Sequence, residues 1–261
     1  MTPLYQSEIA HPSNRGRLTA TFQFFLGIGA FVAAWIGYAC QQGAMGTGLQ
    51  WRLPLGFQAL PAVPLVLLTF LLPESPRWLM MKGRHEEALQ TLARLHARGN
   101  TQDPVVVGEY TAIKAVLEEV GALDQSWGVI FKDSVNLRKV MFGIILQFSV
   151  QMTGVSAIQY YANDVYTSVG FAKDALLINS INSVTGLIGQ ALCVVFLDRV
   201  GRRPPLILGN IGSGLTFIVA TAMAKQFATG SGTKAQGVVF VVMIYLYNLI
   251  FSSCIGPLSW V

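Results

Sequence analysis

Six long runs of mostly apolar residues alternate with polar connections along the chain. A helix that crosses a bilayer core about 30 Å thick needs about 20 mostly apolar residues, and each run is long enough. Several runs contain Gly or Pro, which helices in lipid tolerate because neighbouring groups satisfy the freed backbone. The pattern therefore predicts six transmembrane helices, at residues 18–39, 53–72, 140–163, 175–197, 205–224 and 236–261.

One polar segment, residues 73–139, is much longer than the other connections, and its pattern is helical. The apolar positions that recur at helical spacing are Ala88, Leu89, Leu92 and Leu95, and then Ile113, Val116, Leu117 and Val120. Breaks are expected at Gly83, at residues 99–104 and at residues 121–126. The segment therefore predicts two or three short amphipathic helices that lie against the cytoplasmic end of the membrane domain.

The charged residues indicate both the solvent and the orientation. Only 12% of the residues are charged, whereas soluble domains carry about a quarter. Most of the basic residues lie in alternate connections: Arg15, Arg17, Arg77, Lys82, Arg84, Arg94, Arg98, Lys114, Lys132, Arg138, Lys139, Arg199, Arg202 and Arg203. The other connections hold Arg52, Lys173, Lys225 and Lys234. The positive-inside rule places the first group in the cytoplasm, which explains the net charge of +5 without a nucleic-acid partner.

The sequence offers no pattern for catalysis or metal binding. Cys40, Cys193 and Cys254 each lie in or at the end of an apolar run, without metal-ligand spacing around them. The three histidines lie in polar segments and have no clustered Cys or Glu partner. We therefore predict no catalytic site, no metal and no cofactor, and we do not expect an enzyme.

The two ends of the chain lack the usual flanking signals. A polar, Pro-containing stretch follows Met1, so no signal peptide is visible. The last apolar run reaches Val261 without a polar flank. We therefore expect both ends to be cut from something larger.

Five short motifs occur in a fixed order along the chain. Residues 73–79 read PESPRWL after the second run, and residues 198–203 read DRVGRR after the fourth. Residues 3–16 contain PLYQSE and RG, residues 151–161 contain QMTG and YY, and residues 256–260 read GPLSW. Together these motifs resemble the signatures of the sugar porter family of the major facilitator superfamily.

The resemblance implies an all-α membrane protein with part of the major facilitator fold, namely six transmembrane helices and a cytoplasmic helical linker. The chain is similar to the end of helix four through helix ten of a twelve-helix transporter. Residues 1–72 would be the remainder of the N-terminal half, with helices five and six. Residues 73–139 would be the linker, and residues 140–261 would be helices seven to ten of the C-terminal half.

The function that the resemblance implies is transport of a sugar or related polyol by alternating access, in a multi-pass protein of the plasma membrane. The alternative is a transporter-like nutrient sensor that binds sugar without moving it. Alternating access needs two complete halves around one site, so we do not expect the 261-residue chain alone to transport. The expected partners are the sugar or polyol and the lipid bilayer. Relatives include facilitators and proton symporters, so protons are a partner only in the second case.

A sugar site needs amides and hydroxyls that donate and accept hydrogen bonds, together with an aromatic surface. Gln147 and Gln151 lie four residues apart and so share a helix face, just before Thr153 and Gly154, where the helix of the family is interrupted. The resemblance implies substrate contacts for Gln23, Gln151 and Trp260, and it matches Tyr160 to a tyrosine near the outer gate. Interhelical bonding by Gln and interfacial anchoring by Trp are the alternatives for these residues.

Two positions depart from the common family pattern. Val150 stands in place of a second glutamine, and Ser156, which we keep as a candidate contact, stands in place of an asparagine. An ordinary hexose is therefore less well supported than a polyol, a disaccharide or another hydroxylated solute. Asn179 and Asn182 are weaker candidates, for which packing is an equal alternative. No carboxylate lies in the middle of a run, so a proton carrier is not expected within these six helices.

The resemblance also implies a cytoplasmic charge network that joins the two halves in one state and breaks in another. Its members would be Glu8, Arg15, Glu74, Arg77, Asp198, Arg199, Arg202 and Arg203. A single exposed ion pair contributes only about 0.2–1 kcal/mol, so several must act together. The alternative is that these arginines only anchor helix ends and set the topology.

Overall fold

The computed structural model describes residues 2–10, 15–43, 45–121 and 134–260, and within these ranges the regular structure is helical. The helices are α1 (Thr2–Ile9), α2 (Arg15–Gly43), α3 (Leu49–Ala59), α4 (Ala62–Thr69), α5 (Pro76–Met81), α6 (His85–His96), α7 (Pro104–Gly121), α8 (Ser134–Met152), α9 (Val155–Ser168), α10 (Ala175–Val200), α11 (Arg203–Ala228) and α12 (Lys234–Cys254). A short 3-10 helix, Leu258–Trp260, follows α12.

Among the described residues, six stretches are long and apolar enough to cross a membrane. They are Thr21–Gly43, Leu49–Thr69, Ser134–Ser168, Ala175–Phe196, Arg203–Ala228 and Lys234–Cys254. Each coincides with one predicted run, so the predicted number of spans is confirmed. The sixth helix is shorter than we predicted, because α12 ends at Cys254 and not near residue 261. Pro257 has no N–H to continue a helix and disfavours helical geometry in the residue before it.

Two of the spans are interrupted. The second is broken at residues 60–61 between α3 and α4, because Pro61 and Pro64 remove two backbone donors within one turn. The third is broken at Thr153 and Gly154, where the family resemblance predicted an interruption, and Gly154 has a φ of 83°. The Tyr247 hydroxyl donates to the Thr153 carbonyl oxygen at 3.1 Å. This bond satisfies a backbone acceptor at the break.

The chain forms two compact units, which we describe separately. The first consists of residues 1–18 and 65–145, and the second of residues 19–64 and 146–261. This division follows the packing of the helices. The three segments inferred from the family resemblance remain a prediction.

The core of the first unit is formed by the three helices α5, α6 and α7, which lie within the long polar segment. Ala88 packs with Leu79 and Met80 of α5, and Leu92 packs with Val106 of α7. Of the apolar positions in the predicted helical pattern, Ala88 and Leu92 are buried, whereas Leu95 and Val116 are exposed. The prediction of two or three amphipathic helices is therefore confirmed for the described part of the segment.

Polar contacts fasten α1 to this small helical domain. His96 Nδ1 lies 2.7 Å from Glu109 Oε2, and His96 Nε2 lies 3.2 Å from the Ile9 carbonyl oxygen. The Tyr5 hydroxyl donates to the Pro73 carbonyl oxygen at 2.5 Å. Burial, together with the negative charge of Glu74, raises the pKa of the Tyr5 phenol. The phenol is therefore held in the protonated form that donates this bond.

In the second unit, α12 contacts both α10 and α11 along much of its length. Its buried face carries Phe240, Ile244, Tyr247 and Phe251. The Tyr245 hydroxyl donates to the Ile178 carbonyl oxygen of α10 at 2.8 Å. Interhelical hydrogen bonds of this kind hold helices together in lipid, where apolar burial alone gives little preference for a neighbouring helix.

Candidate ligand cavity

A cavity of about 360 Å³ lies within the second unit, among side chains of α2, α9, α10 and α12. This volume falls near the lower end of the range of small-molecule sites, about 300–1,000 Å³. Six carboxamide side chains line it: Gln23, Gln159, Asn179, Asn182, Gln190 and Asn248. Hydroxyl groups of Ser183, Tyr247 and Ser252 and the ring of Phe251 complete the functional lining.

None of the described lining residues of this cavity carries a charge. A carboxamide both donates and accepts hydrogen bonds, as a hydroxyl group does. A wall of this composition can therefore pair with a neutral hydroxylated molecule at several points. It offers no cation for a carboxylate and no carboxylate for an amine.

Local sequence explains how α10 contributes three of the six carboxamides. Asn179, Asn182, Gly186 and Gln190 follow one another at steps of three or four residues, so they share one face of the helix. The same face turns toward α2, where the Ser180 hydroxyl donates to the Ala34 carbonyl oxygen at 3.2 Å. The residues of α2 that line the cavity after Gln23 are small or apolar, which leaves the amides of α10 open to the cavity.

A chain of hydrogen bonds fixes the wall between α10 and α12. Asn248 Nδ2 donates to the carbonyl oxygen of Asn182 at 2.9 Å and to its Oδ1 at 3.1 Å. The Ser252 hydroxyl donates to Asn248 Oδ1 at 3.3 Å, and Thr185 donates to Asn182 Oδ1 at 3.2 Å. Both asparagines are thereby held in one orientation, which preorganises the wall for a ligand.

Aromatic packing holds the Tyr247 ring against the same wall. The ring meets Phe217 edge-on, with centroids 4.8 Å apart, and lies nearly parallel to Phe251 at 6.0 Å. Since its hydroxyl is bonded to Thr153, this tyrosine connects the cavity wall to the break between α8 and α9.

The predicted substrate residues occupy different surroundings. Gln23 lines the cavity. Gln147 donates from Nε2 to the Ser259 carbonyl oxygen at 3.2 Å, which is a helix-to-helix contact. Gln151 is exposed and accepts a hydrogen bond from the Ser156 hydroxyl at 2.9 Å. Tyr160 is 83% exposed.

The cavity lining does not include Gln147, Gln151, Ser156 or Tyr160. The side chain of Trp260 lies outside the described residues. Among the six lining carboxamides, sequence reasoning missed three, namely Gln159, Gln190 and Asn248. The helical spacing from Asn179 could have pointed to Gln190, whereas no such signal marks the other two.

The predicted charge network is only partly described. The PESPRWL motif forms a helix start, because the Ser75 hydroxyl caps α5 by accepting from the Trp78 backbone N–H at 3.2 Å and Pro76 occupies the first turn. Among the described side chains of the first unit, Glu8, Glu74 and Arg77 form no ion pair within 4.0 Å.

In the second unit, Arg202 and Arg203 are exposed at the start of α11. The side chains of Arg15, Asp198 and Arg199 lie outside the described residues. The network therefore remains a prediction.

The described residues thus combine six membrane-capable spans with a polar but uncharged cavity between helices of the second unit. The sequence matches the family described as Sugar (and other) transporter over residues 1–261. The chain belongs to this family, which is a family of transport proteins and not of enzymes.

Curated relatives agree with this assignment. The MFS-type transporter criB of Aspergillus cristatus is 31% identical over 99% of this chain and 55% of its own length. The high-affinity fructose transporter ght6 of Schizosaccharomyces pombe is 30% identical over 100% of this chain and 49% of its own length. The chain thus spans about half the length of the curated relatives that it matches.

The fold is similar to that of a solved major facilitator structure. The proton:xylose symporter XylE of E. coli, bound to 6-bromo-6-deoxy-D-glucose, superposes with a TM-score of 0.81 at 27% identity. The match covers 99% of this chain and 52% of that chain. The predicted sugar porter resemblance and the predicted major facilitator fold are both confirmed, and the protein is an integral multi-pass membrane protein.

Proposed function

We propose that the protein binds a neutral sugar or related polyol in the cavity of its second unit and takes part in moving it across the membrane by alternating access. The observation that carries this proposal is the cavity lining, with six carboxamides and no charged group among its described residues. The relatives described above are transporters, which favours transport over nutrient sensing. We propose that the protein is located in the plasma membrane. Microscopy of a fluorescent fusion would test this location.

The chemistry of the wall suits a hydroxylated ring. Hydroxyl groups of the ligand can donate to amide oxygens and accept from amide nitrogens, while Tyr247 and Phe251 offer apolar ring faces. A carboxylate ligand would be desolvated in the cavity without a cation, which is costly. A neutral ligand is therefore favoured. Because the described lining has no carboxylate, we propose no proton-carrying role for the cavity itself.

The interruption at Gly154 supports the alternating-access part of the proposal. Non-helical backbone within a membrane span is characteristic of transporter sites, where it lies in protein or lines a cavity. Here the break is bonded to Tyr247, a cavity residue. A change in the angle between α8 and α9 would therefore alter the wall that contacts the ligand.

For the individual residues, we propose Gln23 as the main contact among those predicted from the sequence. Gln151 and Ser156 bond to each other on an exposed surface, and we propose that they, with Tyr160, meet the solute outside the cavity. For Trp260 we propose a substrate contact, as the family resemblance implies. Gln147 already bonds to the backbone of Ser259, so its proposed contribution is to hold the site together.

Sugar binding to the purified chain tests the proposal. The Gln23→Ala variant loses an amide that can bond to the ligand, and we expect affinity for D-xylose, D-fructose or D-glucose to fall by about 5- to 150-fold, equivalent to about 1–3 kcal/mol. Gln42→Ala is the matched control, because Gln42 lies on the same helix, is exposed and is not part of this cavity lining. Failure of the parent chain to bind any of the three sugars, a polyol such as sorbitol or a disaccharide such as maltose would refute the proposal.

We also propose that Arg202 and Arg203 act in the switch between states and not in binding. Both are exposed at the start of α11, and neither lines the cavity. Xylose uptake can be measured in a chimera in which this chain replaces the matching part of E. coli XylE. We expect replacement of both arginines by Ala to reduce xylose uptake while leaving xylose affinity unchanged. Equal uptake by parent and variant chimeras would leave these residues only a topological role.

A further inference from the structure

The most unusual polar side chain in the cavity wall is that of Gln190 on α10. Gln190 is 8% exposed, and its Oε1 is enclosed by protein and has no hydrogen-bond partner among the described residues. Its neighbours in the wall behave differently, because the amide groups of Asn182 and Asn248 are bonded to each other. Gln190 is therefore a buried amide in the cavity lining, and its oxygen can still accept a hydrogen bond.

Gly27 on α2 makes the position of this amide possible. A Cβ atom placed on Gly27 would lie 1.6 Å from Gln190 Oε1 and 2.7 Å from its Cδ. The carboxamide thus fills the space that any other side chain at position 27 would occupy. Gly29, two residues further along the same helix, would have no atom within 4 Å of an added Cβ. The close approach is specific to Gly27.

A packing role alone does not account for a glutamine at this position. An aliphatic side chain of similar length would fill the notch at Gly27 without burying an unpaired oxygen, which is unfavourable in a desolvated site. The terminal torsion of a glutamine is broad and roughly two-fold, so rotation by about 180° exchanges the positions of its oxygen and nitrogen. A ligand hydroxyl can pair with either atom.

We propose that Gln190 is a specificity-determining residue, whose carboxamide binds one hydroxyl of the neutral ligand. The absence of a side chain at Gly27 leaves the space that this carboxamide occupies. This inference rests on the proposed function, since it assigns a role in the same cavity. It also predicts selectivity: a ligand that lacks this hydroxyl leaves the amide unpaired and binds more weakly.

The test combines four variants of the chain with two measurements, the affinity for the sugar that the parent binds best among D-xylose, D-fructose and D-glucose, and the melting temperature without ligand. For Gln190→Ala we expect an affinity loss of about 5- to 150-fold with a melting temperature equal to or above that of the parent.

Gly27→Ala should lower both the affinity and the melting temperature, because the new methyl displaces the Gln190 amide. The double variant should regain the melting temperature but not the affinity, and Gly29→Ala should change neither.

Monodeoxy forms of the same sugar distinguish a direct contact from an indirect one. With a direct contact, one deoxy form binds the parent weakly and loses little further affinity in Gln190→Ala, while the other forms lose the full factor. An equal loss for every form would overturn the contact, as would a lowered melting temperature with unchanged affinity in Gln190→Ala. If the parent binds none of the three sugars and neither sorbitol nor maltose, the proposed function fails together with this inference. Binding that is insensitive to Gln190 overturns only the inference.

Discussion

Replacing Gly154 with Ala tests the break in the third membrane span most directly. Gly154 precedes α9 with a φ of 83°, a left-handed conformation that residues with a Cβ adopt at a cost. A Cβ at this position would also lie 3.0 Å from Cζ of Phe217, a ring that packs edge-on against Tyr247. The substitution therefore strains the backbone and presses on the aromatic group that supports the cavity.

The expected magnitude follows from these two effects. The left-handed conformation costs an L-residue about 1–2 kcal/mol, and displacing a packed ring adds about 1 kcal/mol, the lower end of the cost of overpacking. The sum is about 2–3 kcal/mol. A loss of 1 kcal/mol lowers the melting temperature by about 2–4 °C in chains of 150–250 residues. We therefore expect Gly154→Ala to melt about 4–12 °C below the parent.

Thermal unfolding of the purified chain, followed by tryptophan fluorescence in one detergent, measures this difference. Gly143→Ala on α8 is the matched control, because its added Cβ would have no atom within 4 Å. Gly154→Asn should lie between the parent and Gly154→Ala, since Asn tolerates the left-handed region better than Ala does. Equal melting temperatures for Gly154→Ala and Gly143→Ala would show that the reasoning about the break is wrong.

Three further predictions concern other parts of the molecule. Asn248→Leu should lower stability by about 1–3 kcal/mol because it leaves buried partners unbonded, whereas Asn210→Leu, which removes only a bond within one exposed turn, should have a small effect on the melting temperature. His96→Ala should lower the stability of the first unit by about 1.5–3 kcal/mol, because the nearly buried carboxylate of Glu109 loses its partner. Amide hydrogen exchange should become faster in that unit alone, and unchanged exchange would contradict the prediction. Single cysteines at Gly99 and Gly230, in a background without other cysteines, should react with an impermeant reagent from opposite sides of the membrane, and labelling from one side would refute the predicted topology.

The number of membrane spans could be predicted from the sequence alone. A helix in lipid must be apolar over the thickness of the bilayer, so its presence can be recognised from a local run of residues without knowledge of its neighbours. The breaks could not be predicted in this way: prolines were expected to be tolerated within a span, yet the second span is broken at residues 60–61, and the break at Gly154 was expected only from the family resemblance. The short helices of the polar segment were also predictable, since water on one side and a small core on the other give them a clear apolar face.

The set of polar side chains that share the cavity could not be predicted without the packing of the helices. Lipid and protein interior are both apolar, so the hydropathy of a span does not fix how the helix is rotated about its axis. Gln23 and Gln151 therefore look alike in the sequence, yet the first lines the cavity and the second is exposed. Asn248 and Gln190 join the wall because their helices are turned toward each other and toward Gly27, and that rotation is set by contacts between residues far apart in the chain.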